Sequence, residues 1–488
     1  MAYRHRVSTS EVPTSILPPV NVSAGLPVVF GTAPVNLTDD PAATLNQPQL
    51  VSTYSEAVEL FGFIGANDAN GLFDYTICEF MKSHFALFTV APVVFVNVLD
   101  PATHKADVAA ESVTLANDKA TLANLGVLLS TVVVKDSGGT TTYTEDTDYT
   151  VIFDTDGNAV INRLSSGTIP ADSELQVDYS HLDPSLVDAD DIIGGVDGVT
   201  GKLTGLELVE EVFPRFRLVP GQVVVPKYST DPTVSAIMKS KVQAINGVFK
   251  AIALSDIPTG TVTKYSDAPA WKNDNNVVDS QLVACWPMLK FGDEKYHLST
   301  QLAGLICKTD GENSDIPYVS PSNKNLQTQA SVLSDGTEQF LSISTAEYLN
   351  GEGIITALNF TGGWKAWGNR TSAYPGTTDP KDTFLPVRRM FNWVSNTLTL
   401  TFWDRLDYPL NRRQIDTVVD SVNLWLNGLV SQQYLLGARV EFLPEENPTT
   451  DLLDGIARFH VYLTPPSPNR EIDFILEYDP TYLETLFG

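Results

Sequence analysis

The chain has 488 residues, 43% hydrophobic and 9% aromatic, which is enough apolar mass for buried cores in roughly two to four domains. A formal net charge of −28 argues against nucleic acid as a partner, because affinity for a phosphate backbone rests on Lys and Arg; no apolar run approaches the ~18 residues of a membrane span. Cys78, Cys285 and Cys307 are too few and too widely spaced for a disulfide framework or a metal knuckle, so they read as core thiols in a reducing compartment.

Residues 1–20 mix Arg4, His5 and Arg6 with Ser, Thr and Pro and hold no apolar segment of a secretory signal, so the protein is expected to be made and used in solution. Between Ser8 and Asn21, Pro13, Pro18 and Pro19 among small polar residues predict an extended arm. Leu26-Pro27-Val28-Val29-Phe30-Gly31 reads as a short strand. Val51 to Phe61 reads as a helix capped by Ser52 or Thr53, and Gly71 to Phe88 spaces Phe73, Ile77, Phe80, Met81 and Phe85 at helical intervals. Val93 to Val98 is an apolar run of strand length, and helix followed by buried strand predicts α/β layering.

Between about Pro101 and Asp191 the pattern changes. Thr131 to Lys135, Tyr149 to Phe153, Ala159 to Ile161 and Leu175 to Tyr179 are short strands, with turns at Gly138-Gly139, Asp156-Gly157-Asn158 and Pro170-Ala171-Asp172. This predicts a small β-sandwich or barrel. Glu145, Asp146, Asp148, Asp154, Asp156, Asp172, Glu174 and Asp178 face little beyond Lys135 and Arg163, which places it as an insertion displayed on the outside. From Gly194 α/β character returns: a helix over Ser235 to Ala244, strands over Gly247 to Leu254 and Gln281 to Pro287, and a helix over Thr300 to Lys308 closed by Asp310-Gly311.

The last hundred residues are organised differently. A helix from Asn411 to Gln432 carries one apolar stripe (Ile415, Val418, Val419, Val422, Leu426, Leu429) and a polar one (Arg413, Asp416, Asp420, Asn423, Asn427). Strand-like runs follow at Leu435 to Phe442 and Gly455 to Leu463. After Pro465-Pro466-Ser467-Pro468 comes an alternating run, Ile472 to Tyr478, which reads as a strand on a tether, suited to pairing with another chain.

Chemistry is nearly absent. The histidines are scattered with no HExxH pair, and neither a GxSxG elbow nor a GxxxxGKS loop occurs. Asp154-Thr155-Asp156-Gly157-Asn158 resembles half an EF-hand loop but lacks the closing Glu, so a hairpin turn is expected. Cys78 and His84, six residues apart in apolar context, read as core residues rather than as a thiol nucleophile with its base.

Ala303 to Asp310 leading to Tyr318-Val319-Ser320-Pro321-Ser322-Asn323-Lys324 resembles the "AGxxAxxD" helix and the "SPSN" signature of contractile tail sheath proteins. Tyr348-Leu349-Asn350 through Ile354-Ile355 to Trp367-Gly368-Asn369-Arg370-Thr371 resembles that family's "LN…GI…WGxRT" region. Gln49 to Thr53 through Phe61-Gly62, and Arg388 through Gly437, Asn447, Gly455 and Glu471, are similar to its first and last domains. The resemblance covers most of the chain apart from Pro101 to Asp191; Lys365-Ala366-Trp367 and the insertion depart from it.

The resemblance implies an α/β (α+β) multidomain sheath subunit with an inserted small all-β domain and extended N- and C-terminal strand arms. The expected division is an N-terminal arm over 1–35, sheath α/β domains over 36–101 and 192–382, the insertion over 102–191, and a C-terminal domain over 383–488. Such subunits stack as sixfold rings around an inner tail tube and contract to drive it through a cell envelope, without catalysis, cofactor or metal. Implied partners are the protein itself, the tube, and baseplate and tail terminator proteins, in a virion tail or phage-like particle assembled in the bacterial cytoplasm, with no nucleic acid and no membrane insertion. Leu26, Val28, Val29 and Phe30, and Ile472, Phe474, Leu476 and Tyr478, are the strands lent to neighbours; the alternative for each is to close a sheet within its own subunit. Arg413, Asp416, Asp420, Asn423 and Asn427 are the tube-contacting stripe, the alternative being a solvated face. A carbohydrate-binding or adhesive surface protein using the β-rich insertion, and a hydrolase with a carboxylate pair, are the other function classes weighed.

Overall fold

A strand that is apolar on both faces is stable only inside a sheet covered on both sides. Pro27–Gly31 (β1) is such a strand, buried at every position. In the computed structural model, which describes residues 23–67 and 70–487, it lies within an eight-stranded sheet. The other strands are β2 (Gln49–Val51), β3 (Val93–Asn97), β4 (Gln222–Val224), β5 (Ile252–Asp256), β6 (Leu282–Cys285), β7 (Ile354–Asn359) and β8 (Trp364–Trp367). Their order is β8-β7-β6-β5-β4-β1-β3-β2, parallel from β7 to β3 with an antiparallel strand at each edge.

This corrects one expectation. Val28 and Val29 pair with Val223 and Val224 on one side and with Val94 and Phe95 on the other. With both backbone edges used, Leu26, Val28, Val29 and Phe30 are core and cannot be lent to a neighbour. The part of the expected N-terminal arm in residues 1–22 lies outside the described residues.

Helices α1 (Tyr54–Phe61), α2 (Thr76–Met81), α3 (Pro232–Gln243), α4 (Leu298–Gly311) and α5 (Leu385–Phe402) belong to this α/β body. The start of α1 is set locally: Thr53 Oγ1 accepts from the Glu56 amide at 3.2 Å, while the Glu56 carboxylate accepts from the Ser52 amide at 2.8 Å. One buried ion pair joins α4 to α5. Arg389 of α5 donates to both carboxylate oxygens of Asp310 at the end of α4, one bond measuring 3.0 Å, with both side chains almost fully enclosed. The Asn396 and Asn392 side chains tie α5 to Lys250 and Gln281. The expected boundary at 383 therefore falls inside the packed body, and exposure rises only from Trp403 onward.

The Glu79 carboxylate of α2 accepts from the His297 amide at 2.7 Å and faces its Nδ1 at 2.8 Å. Burial opposes an imidazolium there, but the facing carboxylates of Glu79 and then Asp256 outweigh it and hold the pKa at about 9, above the ordinary 6.5. A pKa raised by folding stabilises fully below 6.5, and that contribution fades as pH climbs through about 9. Melting temperature is expected to fall across this window more steeply for the native chain than for His297→Gln; parallel curves would show that the pair adds nothing.

The inserted strands form two three-stranded sheets. Lys105–Thr114, Glu174–Leu182 and Val133–Asp136 make one; Lys119–Thr121, Ala159–Arg163 and Tyr149–Phe153 make the other. Val127, Val134, Ile161 and Val177 belong to a core of their own. The Asp154 to Asn158 segment is the expected hairpin turn, the Asp154 carboxylate accepting from the amides of Asp156 and Asn158 at 2.9 Å each. Two details differ from expectation. The insertion is docked, with Asn36 Nδ2 donating to the Val127 carbonyl at 3.3 Å and Gly157 lying over Ile64 and Leu37. Its far boundary comes at Leu182 rather than at Asp191, since the last inserted strand ends there in contact with the body's core, to which Val187 and Ile192 also belong. The helix Ala189–Ile193 carries a capping box between Asp188 and Asp191.

Candidate assembly surface

The terminal region is built on the helix α6 (Arg412–Ser431), begun by the Asn411 side chain accepting from the Gln414 amide at 3.0 Å. Its predicted apolar stripe faces inward: Val422, Leu426 and Leu429 are buried, and Trp425 packs on Trp393 of α5 with ring centroids 5.7 Å apart. Behind it lies an antiparallel hairpin of β9 (Gly437–Glu441) and β10 (His460–Thr464). Gly455 to Phe459 is not strand, because the chain first forms the short helix Thr449–Leu453 and then a left-handed turn at Gly455, φ +79°.

The predicted polar stripe divides. Arg413, Asp420 and Asn427 are exposed. Asp416 holds the guanidinium of Arg412 at 2.9 and 3.1 Å. Asn423 is not on the free face: its amide accepts from the Val440 N–H at 2.9 Å and donates to the Val440 carbonyl at 3.2 Å. Sequence reasoning missed this contact because helical spacing says nothing about which strand a helix lies against.

The terminal arm leaves β10 through buried Pro465 and then runs along a groove of about 1030 Å³. The groove is lined by the arm itself and by both motifs of the family resemblance, Ser320, Ser322 and Asn323 with Trp367 to Arg370. Those motifs interlock. The Gly368 amide donates to Ser322 Oγ at 3.1 Å, and the Asn350 amide reaches the carbonyls of Trp367 and Ile354 at 2.9 Å each. Gly368 sits at φ +137°, and an added Cβ would lie 2.6 Å from the side-chain amide of Asn350, so glycine is required. Arg370 is held between the rings of Tyr374 and Phe384, 4.4 and 3.8 Å from their centroids, and donates to Thr383 Oγ1 at 2.7 Å.

Beyond the groove, Ile472 to Tyr478 pairs with no strand among the described residues. Ile472, Phe474, Leu476 and Tyr478 are 67%, 81%, 93% and 76% exposed. A soluble chain rarely shows so continuous an apolar surface unless something covers it. These four residues therefore lie on an exposed arm that has no strand partner among the described residues of its own subunit.

Among the described residues no cluster of His, Cys, Asp and Glu could hold a metal ion, and no helix is long and apolar enough to cross a membrane. Cys78 and His84 are both enclosed; burial pushes the thiol up to about 12 and the imidazole down to about 3.

Over 505 aligned residues the chain is 30% identical to the "Tail sheath protein" of Burkholderia phage BcepMu, a match covering 100% of this chain and 99% of that one. The chain belongs to the tail sheath protein family. A second relative, the "Major tail sheath protein" of Serratia phage KSP20, is 28% identical over 146 residues, 30% of this chain and 35% of its own length. A family model described as "Protein of unknown function UCP028589" matches residues 69–189, which include nearly all of the insertion. Solved structures share the sheath fold from end to end. The sheath of an extracellular contractile injection system, the PVC sheath complex in its contracted state, aligns with a TM-score of 0.57 at 15% identity over 99% of both chains. The contracted helical sheath of the anti-feeding prophage aligns at 0.56 and 14% identity over 98% of this chain and 99% of that one. The sheath family supplies structural proteins of contractile particles rather than enzymes, and the mixed α/β body is its fold.

Proposed function

We propose that this sheath protein polymerises as stacked six-membered rings around an inner tail tube, and that contraction of the stack drives the tube through the envelope of a target cell. The single observation that carries the reading is the free arm. Apolar residues fill every second position from Ile472 to Tyr478, with Ile475 between them, the segment is tethered by Pro465, Pro466 and Pro468, and it follows a hairpin of two strands among the described residues. Prolines favour an extended tether of about 3.1 Å per residue, which discourages folding back on the arm's own β10 and carries the strand toward another copy. Strand addition between copies gives a sheath that stays linked while looser surface contacts rearrange. Growth from a baseplate, closure by a terminator protein and assembly in the host cytoplasm belong to the same reading. Electron microscopy of purified protein tests it: tubes of uniform diameter with sixfold end views are expected, and dispersed particles would count against it.

Contact with the tube is assigned to the outward residues of α6: Arg413, Asp416, Asp420 and Asn427. Exposed polar contacts are individually weak, about 0–1 kcal/mol each, so a row of them can hold and then release together. Replacing Asp416 and Asp420 by Lys is expected to give early contraction or empty sheaths with unchanged subunit folding. Extended particles of ordinary stability from that variant would move tube contact elsewhere.

A further inference from the structure

In an antiparallel pair, the N–H and C=O of any one residue point to the same side, and successive residues alternate. Both groups of Val440 are taken by the Asn423 side chain, so they point away from β10. The Val440 and Val461 pair is then the non-hydrogen-bonded kind. Arg439 with Tyr462, and Glu441 with His460, bond across the hairpin, while Val461 and Leu463 turn their backbone groups to the far edge of β10. No strand among the described residues pairs with that edge. The two edges are therefore unequal. On β9 a side-chain amide, one donor and one acceptor, imitates the peptide of a missing neighbouring strand. On β10 no side chain or strand among the described residues is seen to bond the backbone of Val461 or Leu463 from that side.

We infer that Asn423 is an edge guard: it closes β9, so that the hairpin takes the Ile472 to Tyr478 strand of a second copy on β10 alone. The inference rests on the strand-addition reading above and specifies where that addition occurs. A strand entering at β9 would have to break both bonds to Val440 and leave the half-buried Asn423 amide unpaired, whereas a strand entering at β10 breaks neither bond. The faces of the hairpin match the incoming arm. Ala438, Val440, Val461 and Leu463 pack toward the core, while Arg439 covers Tyr462 at 3.8 Å and His460 stacks on Tyr462 at 4.1 Å on the other face. An added strand that turns Ile472, Phe474, Leu476 and Tyr478 to the first face turns Asp473, Ile475 and Glu477 to the second, beside His460 and Tyr462 of β10. One-sided addition gives each copy one strand to offer and one edge to receive at this site, a head-to-tail rule that propagates without branching.

Hydrogen exchange read by mass spectrometry tests it on the full chain carrying Phe474→Pro and Leu476→Pro, which stop its own strand from adding. The probe is a synthetic peptide of residues 470–480. With Asn423 present, the peptide is expected to slow exchange about ten-fold or more over 460–464 and to leave 437–441 unchanged. Adding Asn423→Leu, or Asn423→Ser as a second variant without apolar bulk, is expected to speed exchange of the Val440 amide about ten-fold and to let the peptide protect 437–441 as well. If the peptide protects neither strand in any variant, strand addition itself fails and the guard with it. If it protects 437–441 while Asn423 is in place, or if β9 stays closed in both variants, strand addition stands and the guard is wrong.

Discussion

Deleting residues 472–488 is expected to leave a folded subunit that no longer forms tubes. The folded part should survive because none of Ile472, Phe474, Leu476 and Tyr478 belongs to either core, and the segment closes no sheet of its own subunit. Assembly should fail because each of these side chains offers about 1.5–3 kcal/mol on full burial, and a shared strand adds backbone bonds of about 1 kcal/mol net each. Every 1.4 kcal/mol lost is about a factor of ten in affinity, so the concentration needed for polymerisation should rise by orders of magnitude. Sedimentation and electron microscopy of the truncated chain read this directly. The double substitution Phe474→Pro and Leu476→Pro should reproduce the defect without shortening the chain, since proline removes donors that a ladder needs. Tubes of ordinary length from either variant would rule out the arm as the link.

What the sequence revealed of this design follows from how local each signal is. The Asn411 to Gln432 helix was legible because its apolar stripe repeats at helical spacing, and α6 runs Arg412–Ser431 with that stripe inward. Ile472 to Tyr478 was legible as a tethered apolar alternation, but not as an unpaired segment, since alternation fixes the faces of a strand and not its partner. Leu26 to Phe30 shows the opposite error. Its nearness to a proline-rich terminus suggested an arm, while its apolarity on both faces already pointed to an interior strand, and the interior reading prevailed. The long strand Lys105–Thr114 was missed because half its positions are exposed, and a register shift between Val108 and Glu111 breaks its alternation. The Arg389 to Asp310 pair joins residues 79 positions apart, and Asn423 and Val440 meet only because α6 lies against β9. Contacts of that kind follow from tertiary packing and leave no periodic trace.

Excising the insertion is expected to succeed or fail according to where the second cut falls. Lys105 and Leu182 are opposite each other in the first register of the inserted sheet, so replacing 106–181 by a four-residue Gly-containing turn rejoins neighbouring strands without moving the body. That chain should fold and still form tubes, with a modest loss of stability from uncovering Ile64 and Leu37, which lie under Gly157. Extending the excision to 102–191 removes Leu182 and Val187 from the body's core and the cap residues Asp188 and Asp191 from the helix that holds Ile192 inside. A buried leucine alone is worth about 2–5 kcal/mol and an N-cap about 0.5–2 kcal/mol. Their sum approaches the whole 5–15 kcal/mol stability of a typical folded domain, so the longer excision should yield insoluble protein or a melting transition far below that of the shorter one. Equal melting temperatures for the two chains would show that the segment after Leu182 is not part of the body. Failure of the shorter excision to fold would show that the docked sandwich is an integral part of the sheath subunit rather than a passenger on it.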